Sequence, residues 1–289
     1  MAAVLIFNWF NDKEEAPVKE DTLVNFDQLR EEQTETAGET GRTWLEKKAL
    51  ERRNNGICKN LTQDAKVLLV FVNDDESSWT RQEMNKFISD LVDPALEYIE
   101  YYATRYGHSI SMEDCTFLDD GGNIMPVRIN GSLSDGNDET AGVITLDLVS
   151  ATLDAYGFSD KTQLMENVQS YAGTEQVAVM FCVDKPGRSF ANTGANPESV
   201  VLYTSYKGAD SRASVFAHEL MHLFGAEDMY DEGGLRANRY AMAKQMHPNE
   251  LFCGEQWNLY DNIISSYTAY AVGWLDKLPA EYDCIEWWS

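Results

Sequence analysis

The stretch "VFAHELMHLFGAEDMYDE", Val215 to Glu232, contains two of the four histidines in this chain of 289 residues, with a glutamate between them. His218 and His222 are four residues apart and have apolar neighbours on both sides. That spacing places two side chains one above the other on a single face of an α-helix. The stretch therefore predicts a helix with an apolar stripe against the core, with Asp210 or Ser211 as its N-cap.

The two imidazoles on this helix have the spacing of a divalent metal site. Imidazole nitrogens at positions i and i+4 can both reach one ion at about 2 Å. Glu219 follows His218 directly, so its carboxylate can reach a water on that ion without binding the ion itself. Buried imidazoles need polar partners, and the apolar flanks argue against a solvent-exposed helical face. The pattern H-E-x-x-H therefore predicts that His218 and His222 are metal ligands and that Glu219 is the catalytic base.

A zinc site needs a third protein ligand, and the residues after His222 offer one. Gly225 can adopt the left-handed conformation that ends a helix and turns the chain sharply. Asp228, three residues later, can then return towards the ion, which completes the pattern H-E-x-x-H-x-x-G-x-x-D. Three rival ligands follow in the same part of the chain: Asp231, His247 and Glu250.

This pattern resembles that of the metzincin metallopeptidases, with an aspartate where most members have a third histidine. It is most similar to the aspartate-ligand members, such as snapalysin and the immune-inhibitor-A-like peptidases, which have a run like "GAEDMYDE". The resemblance implies a zinc endopeptidase that is secreted or at the cell surface and acts on protein or peptide substrates. It also implies that Zn²⁺ is held by His218, His222 and Asp228.

Strand and helix patterns alternate before the histidines, which predicts an α/β (α+β) fold. "KVLLVFVN" (Lys66–Asn73), "QVAVMFCV" (Gln176–Val183) and "SVVLYTSY" (Ser199–Tyr206) have the apolar runs of buried strands. A long helix is predicted from about Thr80 to Tyr106, kinked or split at Pro94. The metzincin resemblance implies a twisted mixed sheet with long helices, a zinc-binding helix, and an irregular C-terminal subdomain that ends in a helix.

The polar, charged composition from about Asn11 to Arg42 predicts a domain boundary near residue 60. Residues 1–60 are predicted to be a tail or linker with a short helix. Residues 61–289 are predicted to form the catalytic domain, with an upper subdomain over 61–225 and a lower one over 226–289. The C-terminal helix is predicted within "NIISSYTAYAVGWL".

Three further features of the metzincin family have candidates in this chain. In that family the strand that binds extended peptide lies just before the zinc helix, and the stretch "SVVLYTSY" has the corresponding place in this chain. The turn with a methionine beneath the metal has no clear copy, and its candidates are Met242, Met246 and, in "HPNELF", Phe252. Tyr267 and Tyr270 are candidates to stabilise an oxyanion, with packing as the alternative, and Tyr230 is a candidate to brace the turn.

Composition excludes several classes of partner. The chain has 23 Lys and Arg against 48 Asp and Glu, a net charge of −25. Binding to nucleic acid needs a basic surface, so no nucleic-acid partner is expected. The apolar runs "VLLVFV" and "AAVLIF" are too short to cross a bilayer, so no membrane insertion is expected. The opening "MAAVLIFNWFNDKEEA" lacks the basic n-region of a signal peptide.

Three acidic loops are candidate binding sites for Ca²⁺ as a second cofactor, although none has the spacing of an EF-hand. They are "NDDESS" (Asp74, Asp75, Glu76), "LDDGGN" (Asp119, Asp120) and "SDGNDE" (Asp135, Asp138, Glu139). The five cysteines are scattered and form no C-x-x-C pair, which argues against a disulfide scaffold or a cysteine-based zinc site.

Two other functions fit the same residues. The first is a catalytically inactive binding protein on a peptidase fold that keeps zinc for structure. The second is an interaction protein in which His218 and His222 are ordinary core residues. The intact Glu219 favours the peptidase, because a structural zinc site needs no general base.

Overall fold

The computed structural model describes residues 51–52, 58–134, 140–194, 196–229, 244–254 and 256–280. Most of the predicted catalytic domain lies within these ranges. Several predicted features lie outside them: the tail over residues 1–50, Tyr230, Asp231, Met242, Cys284 and the acidic loop with Asp135, Asp138 and Glu139.

Among the described residues, a mixed sheet of seven strands lies at the centre of the fold, and the helices beside it confirm the predicted α/β class. The strands are β1 Ala65–Asn73, β2 Met112–Thr116, β3 Val127–Arg128, β4 Val177–Pro186, β5 Phe190–Asn192, β6 Ser199–Tyr206 and β7 Ala209–Asp210. The main path runs β2-β1-β4-β6-β5, with β3 beside β1 and β7 beside β6. The pairs among β1, β2, β3, β4 and β6 are parallel, whereas β5 and β7 are antiparallel to β6.

Six α-helices have both ends among the described residues. They are α1 Arg81–Phe87, α2 Asp93–Arg105, α3 Ala141–Tyr156, α4 Lys161–Ala172, α5 Ala213–His222 and α6 Ser266–Ala271. The predicted long helix corresponds to α1 and α2, which are joined by a π-helical segment over Ile88–Val92. Pro94 lies in the first turn of α2, and the π turn before it accommodates the missing N–H of proline.

Helices cover both faces of the sheet, and β1 shows how the two cores divide. Val67, Leu69 and Phe71 belong to a core that includes residues of α1, α2, α5 and α6. Leu68, Val70 and Val72 belong to a second core that includes residues of α3 and α4. A strand buried on both faces is apolar at successive positions, which explains the uninterrupted runs in the sequence. The histidine helix α5 therefore packs into the first of these cores.

The prediction that Ser199–Tyr206 is the peptide-binding edge of the sheet is wrong. β6 pairs with β4 on one side and with β5 on the other, so it is an internal strand. The edge is β5, three half-buried residues within the polar loop "DKPGRSFANTGANPES". Val200 and Val201 of β6 are fully buried, whereas an edge strand is commonly short and flanked by polar residues.

The predicted N-cap of the histidine helix is also wrong. Asp210 belongs to β7 and pairs with Ser205 of β6, and the Ser211 N–H donates to the carbonyl of Thr204. These sheet contacts delay the helix, so Arg212 is the N-cap residue and α5 begins at Ala213.

The chain after α5 is mostly irregular where it is described. It contains 3₁₀ turns at Leu251–Cys253 and Leu259–Asp261, and then α6, which is shorter than the predicted C-terminal helix. None of the described helices is both long and apolar enough to cross a membrane.

Candidate metal centre

The helix α5 and the turn after it bring three predicted ligands together. The Nε2 atoms of His218 and His222 are 3.1 Å apart. One carboxylate oxygen of Asp228, Oδ1, lies 3.1 Å from Nε2 of His218 and 3.3 Å from Nε2 of His222. In the described part of the chain, these residues form the one group of three His, Cys, Asp or Glu side chains that can hold a metal ion.

Hydrogen bonds to the backbone fix both imidazoles. Nδ1 of His218 lies 3.2 Å from the carbonyl oxygen of Leu251, and Nδ1 of His222 lies 2.9 Å from that of Ala226. A carbonyl oxygen only accepts, so each Nδ1 carries the proton and donates it. Each neutral ring therefore presents the lone pair of Nε2 to the space shared with Asp228.

The geometry fits zinc. Two atoms bound to one ion at 2.0–2.1 Å in a tetrahedron are roughly 3.3 Å apart, close to the three separations seen here. Two neutral imidazoles and a carboxylate at these distances repel one another unless a positive charge lies among them. A divalent cation would supply that charge and could be held by His218, His222 and Asp228.

The pKa values of Asp228 and His222 are shifted because the three side chains lie so close together. Burial opposes ionisation of Asp228, but the neighbouring imidazoles of His218 and His222 outweigh it and hold the pKa of the carboxyl well below its usual range. Burial also disfavours the charged form of His222, but the neighbouring carboxylate of Asp228 outweighs it and raises the pKa of this imidazole. In the absence of metal, a second proton on His222, at Nε2, is therefore favoured by the carboxylate of Asp228.

Glu219 lies on α5 between the two histidines and is only partly buried, in contrast to His218. Its negative charge is a minor cause of the raised pKa of His222. It does not belong to the group of ligands. This placement suits a base next to the metal rather than a fourth ligand.

The turn that carries Asp228 depends on Gly225. Its φ is +105°, a conformation that side chains rarely adopt. The Ala226 N–H donates to the carbonyl of Met221, which closes the helix end. Arg52 donates to the carbonyls of His222 and Leu223 and pairs with Glu198, so a residue from the N-terminal region caps the same helix end.

Replacing Gly225 with alanine should destabilise the protein by about 1–3 kcal/mol through backbone strain alone. A Cβ atom at Gly225 would also lie 2.9 Å from the carbonyl oxygen of Ala271. Denaturant unfolding measures the change. Gly157→Ala is the matched control, because Gly157 also has a positive φ but has nothing within 4 Å of an added Cβ. An equal or larger loss in the Gly157 variant contradicts the role assigned to the turn.

Phe252 forms the floor beneath the two imidazoles. Its ring stacks on His218 with centroids 4.7 Å apart and meets His222 edge-on at 5.2 Å. Its carbonyl oxygen accepts from the N–H of Met229, the residue after Asp228. Phe252 thus lies against both imidazoles, whereas Met246 packs at the margin of the core; Met242 lies outside the described residues.

Of the rival ligands, Glu250 and His247 do not join the cluster, and Asp231 lies outside the described residues. The carboxylate of Glu250 is fully buried and accepts hydrogen bonds from the Ser265 N–H and the Thr268 hydroxyl. Burial raises the pKa of Glu250 to about 7, although these hydrogen bonds favour the ionised form. His247 is described but does not belong to the group that can hold an ion. Tyr267 and Tyr270 are buried members of the core in α6.

In two of the acidic loops, the carboxylates already have hydrogen-bond or ion-pair partners within the protein. Asp74 accepts from the N–H groups of Ser77 and Leu133, at 2.7 and 2.9 Å. The ammonium of Lys185 lies 3.0 Å from Asp74 and 2.9 Å from Glu76, where a calcium ion would need to bind. Asp119 accepts from two backbone N–H groups of its own turn. These contacts give Ca²⁺ no support at either loop.

Sequence reasoning missed three parts of the centre: the carbonyls of Leu251 and Ala226, and the guanidinium of Arg52. Every residue has a carbonyl, so no sequence signal marks these two. Comparison with known proteins does not assign a role to these residues. No family model matches this chain, and no curated protein matches it either.

Proposed function

We propose that this protein is a zinc-dependent endopeptidase that hydrolyses peptide bonds in protein or peptide substrates. The observation that carries the proposal is the convergence of His218, His222 and Asp228, with Nε2 and Oδ1 atoms 3.1 to 3.3 Å apart. The placement of Glu219 on the same helix supports a catalytic rather than a structural site.

The chain's own residues divide the reaction between them. Zinc, when bound, lowers the pKa of a water towards about 7 and polarises the scissile carbonyl. His218, His222 and Asp228 would hold the ion, and the hydrogen bonds to Leu251 and Ala226 fix the orientation of the two rings. Glu219 takes the proton from the attacking water and delivers it to the leaving amine.

The edge strand β5 is the proposed place for the substrate backbone. β5 pairs with β6 on one side, and no other described strand pairs with it. It also packs against α5, the helix that carries the two histidines. An extended peptide can add to such an edge through main-chain hydrogen bonds, which would bring a peptide bond beside the cluster.

Hydrolysis of casein by the purified protein tests this function. We expect cleavage with zinc, loss of cleavage after treatment with a chelator, and recovery when zinc is added back. The alternative, an inactive binding protein with a structural zinc, predicts stoichiometric zinc and no cleavage under any of these conditions. Cleavage that is unaffected by complete removal of zinc contradicts the proposal directly.

A further inference from the structure

Glu250 is a buried carboxylate that the proposed reaction does not use. It is 0% exposed, and it lies immediately before the floor residues Leu251 and Phe252. Burying an ionisable group is costly unless hydrogen bonds satisfy it. Its partners are therefore the guide to its role.

Both partners of Glu250 lie at the start of α6. One carboxylate oxygen accepts from the backbone N–H of Ser265, which is the N-cap residue of α6. The other oxygen accepts from the hydroxyl of Thr268, at 2.7 Å. A backbone hydrogen bond joins the same two segments, since the Leu251 N–H donates to the carbonyl of Ile263 at 3.0 Å. Glu250 therefore joins the floor segment to the helix that follows it.

The floor residues Leu251 and Phe252 contact both histidine ligands and the residue next to the third ligand. The carbonyl of Leu251 accepts from His218, and the ring of Phe252 touches both imidazoles. The carbonyl of Phe252 accepts from Met229, at 2.8 Å, next to Asp228. A shift of these two floor residues would therefore move the ligands themselves.

The other end of α6 lies against the turn after the zinc helix. The carbonyl oxygen of Ala271 is so close to Gly225 that it leaves no room for a side chain there. α6 thus touches both the floor, through Glu250, and the turn that carries Asp228.

We propose that Glu250 is a positioning residue that fixes the floor of the metal centre to α6 and thereby sets the separation of the three ligand atoms. It acts through Leu251 and Phe252 and does not touch the ion. The inference rests on the metal site of the proposed function but not on peptide hydrolysis.

Glu250→Gln tests the inference, because glutamine keeps the size of the side chain but offers one acceptor and one donor in place of two acceptors. We expect the affinity for Zn²⁺, measured by competition with a chromogenic chelator, to fall by about 10-fold to 100-fold. We also expect the visible absorption spectrum of the Co²⁺-loaded protein to change, since it reports the geometry of the ligands. Thr268→Val removes one of the donors to the Glu250 carboxylate and should cause a smaller change of the same kind.

Asp74→Asn is the matched control. Asp74 is also a buried carboxylate that accepts backbone N–H groups, but its partners lie in the loops after β1 and β3 and at Lys185 of β4. This variant should lose stability and keep the wild-type zinc affinity and cobalt spectrum. A Glu250→Gln protein with wild-type affinity and spectrum overturns the inference alone. A wild-type protein that binds neither ion overturns the metal centre and the inference together, whereas metal binding without hydrolysis overturns only the peptidase.

Discussion

Glu219→Gln should bind zinc as tightly as the wild type and hydrolyse peptide bonds about 10²-fold to 10⁴-fold more slowly, the contribution typical of a general acid–base residue. The amide has almost the shape of the carboxylate but cannot accept a proton from water. Because Glu219 does not belong to the ligand group, zinc content should not change. Hydrolysis of a fluorogenic peptide and zinc analysis of the same sample measure the two quantities.

Glu227→Gln is the control for that experiment. Glu227 is partly buried and lies in the same turn as Asp228, but it is not a member of the metal cluster. It should retain its activity. A Glu219→Gln protein that hydrolyses peptide at the wild-type rate removes Glu219 from the role of base.

Asp228→Ala should lower the affinity for zinc by at least about 100-fold. Loss of a residue that only orients a ligand costs roughly 10-fold to 100-fold, so loss of a ligand should reach or exceed the upper end of that range. The variant keeps both imidazoles and their hydrogen bonds to Leu251 and Ala226. Competition with a chromogenic chelator measures the affinity.

Glu227→Ala serves as the matched control here as well, since it removes a neighbouring carboxylate outside the cluster. It should bind zinc like the wild type. If Asp228→Ala also binds zinc like the wild type, the third ligand lies elsewhere. Asp231, His247 and Glu250 are then the residues to replace next.

The ligand cluster could be selected from the sequence because its geometry is local. An α-helix fixes the relation of His218 to His222, and a glycine at 225 permits only a few paths for the next three residues. The α/β pattern could be predicted for a similar reason, since strands buried on both faces have long apolar runs. The three residues that the motif selects are the ones that the structure brings together.

The edge of the sheet was not predictable from composition. β5 has three residues, all half-buried, in a loop rich in polar residues and glycine, so it shows no strand periodicity. Its pairing with β6 is a tertiary contact, and it displaced the predicted edge by one strand. The start of α5 was misplaced for the same reason, because Asp210 is held in β7.

The surroundings of the cluster depend on contacts between residues distant in sequence. Leu251 and Phe252 lie about 30 residues beyond the histidines, and no local pattern shows that they lie beneath them. Glu250 resembles a ligand in sequence, and its role follows only from its bonds to Ser265 and Thr268. Arg52 reaches the C-terminal end of α5 although it precedes His222 by 170 residues.

Anomalous scattering at the zinc absorption edge, from crystals of the purified protein, tests the central claim most directly. We expect one strong peak bonded to Nε2 of His218, Nε2 of His222 and a carboxylate oxygen of Asp228, with solvent in the remaining position. A zinc-loaded crystal whose anomalous peak lies away from these three side chains, or that has a fourth protein ligand in place of solvent, contradicts the account.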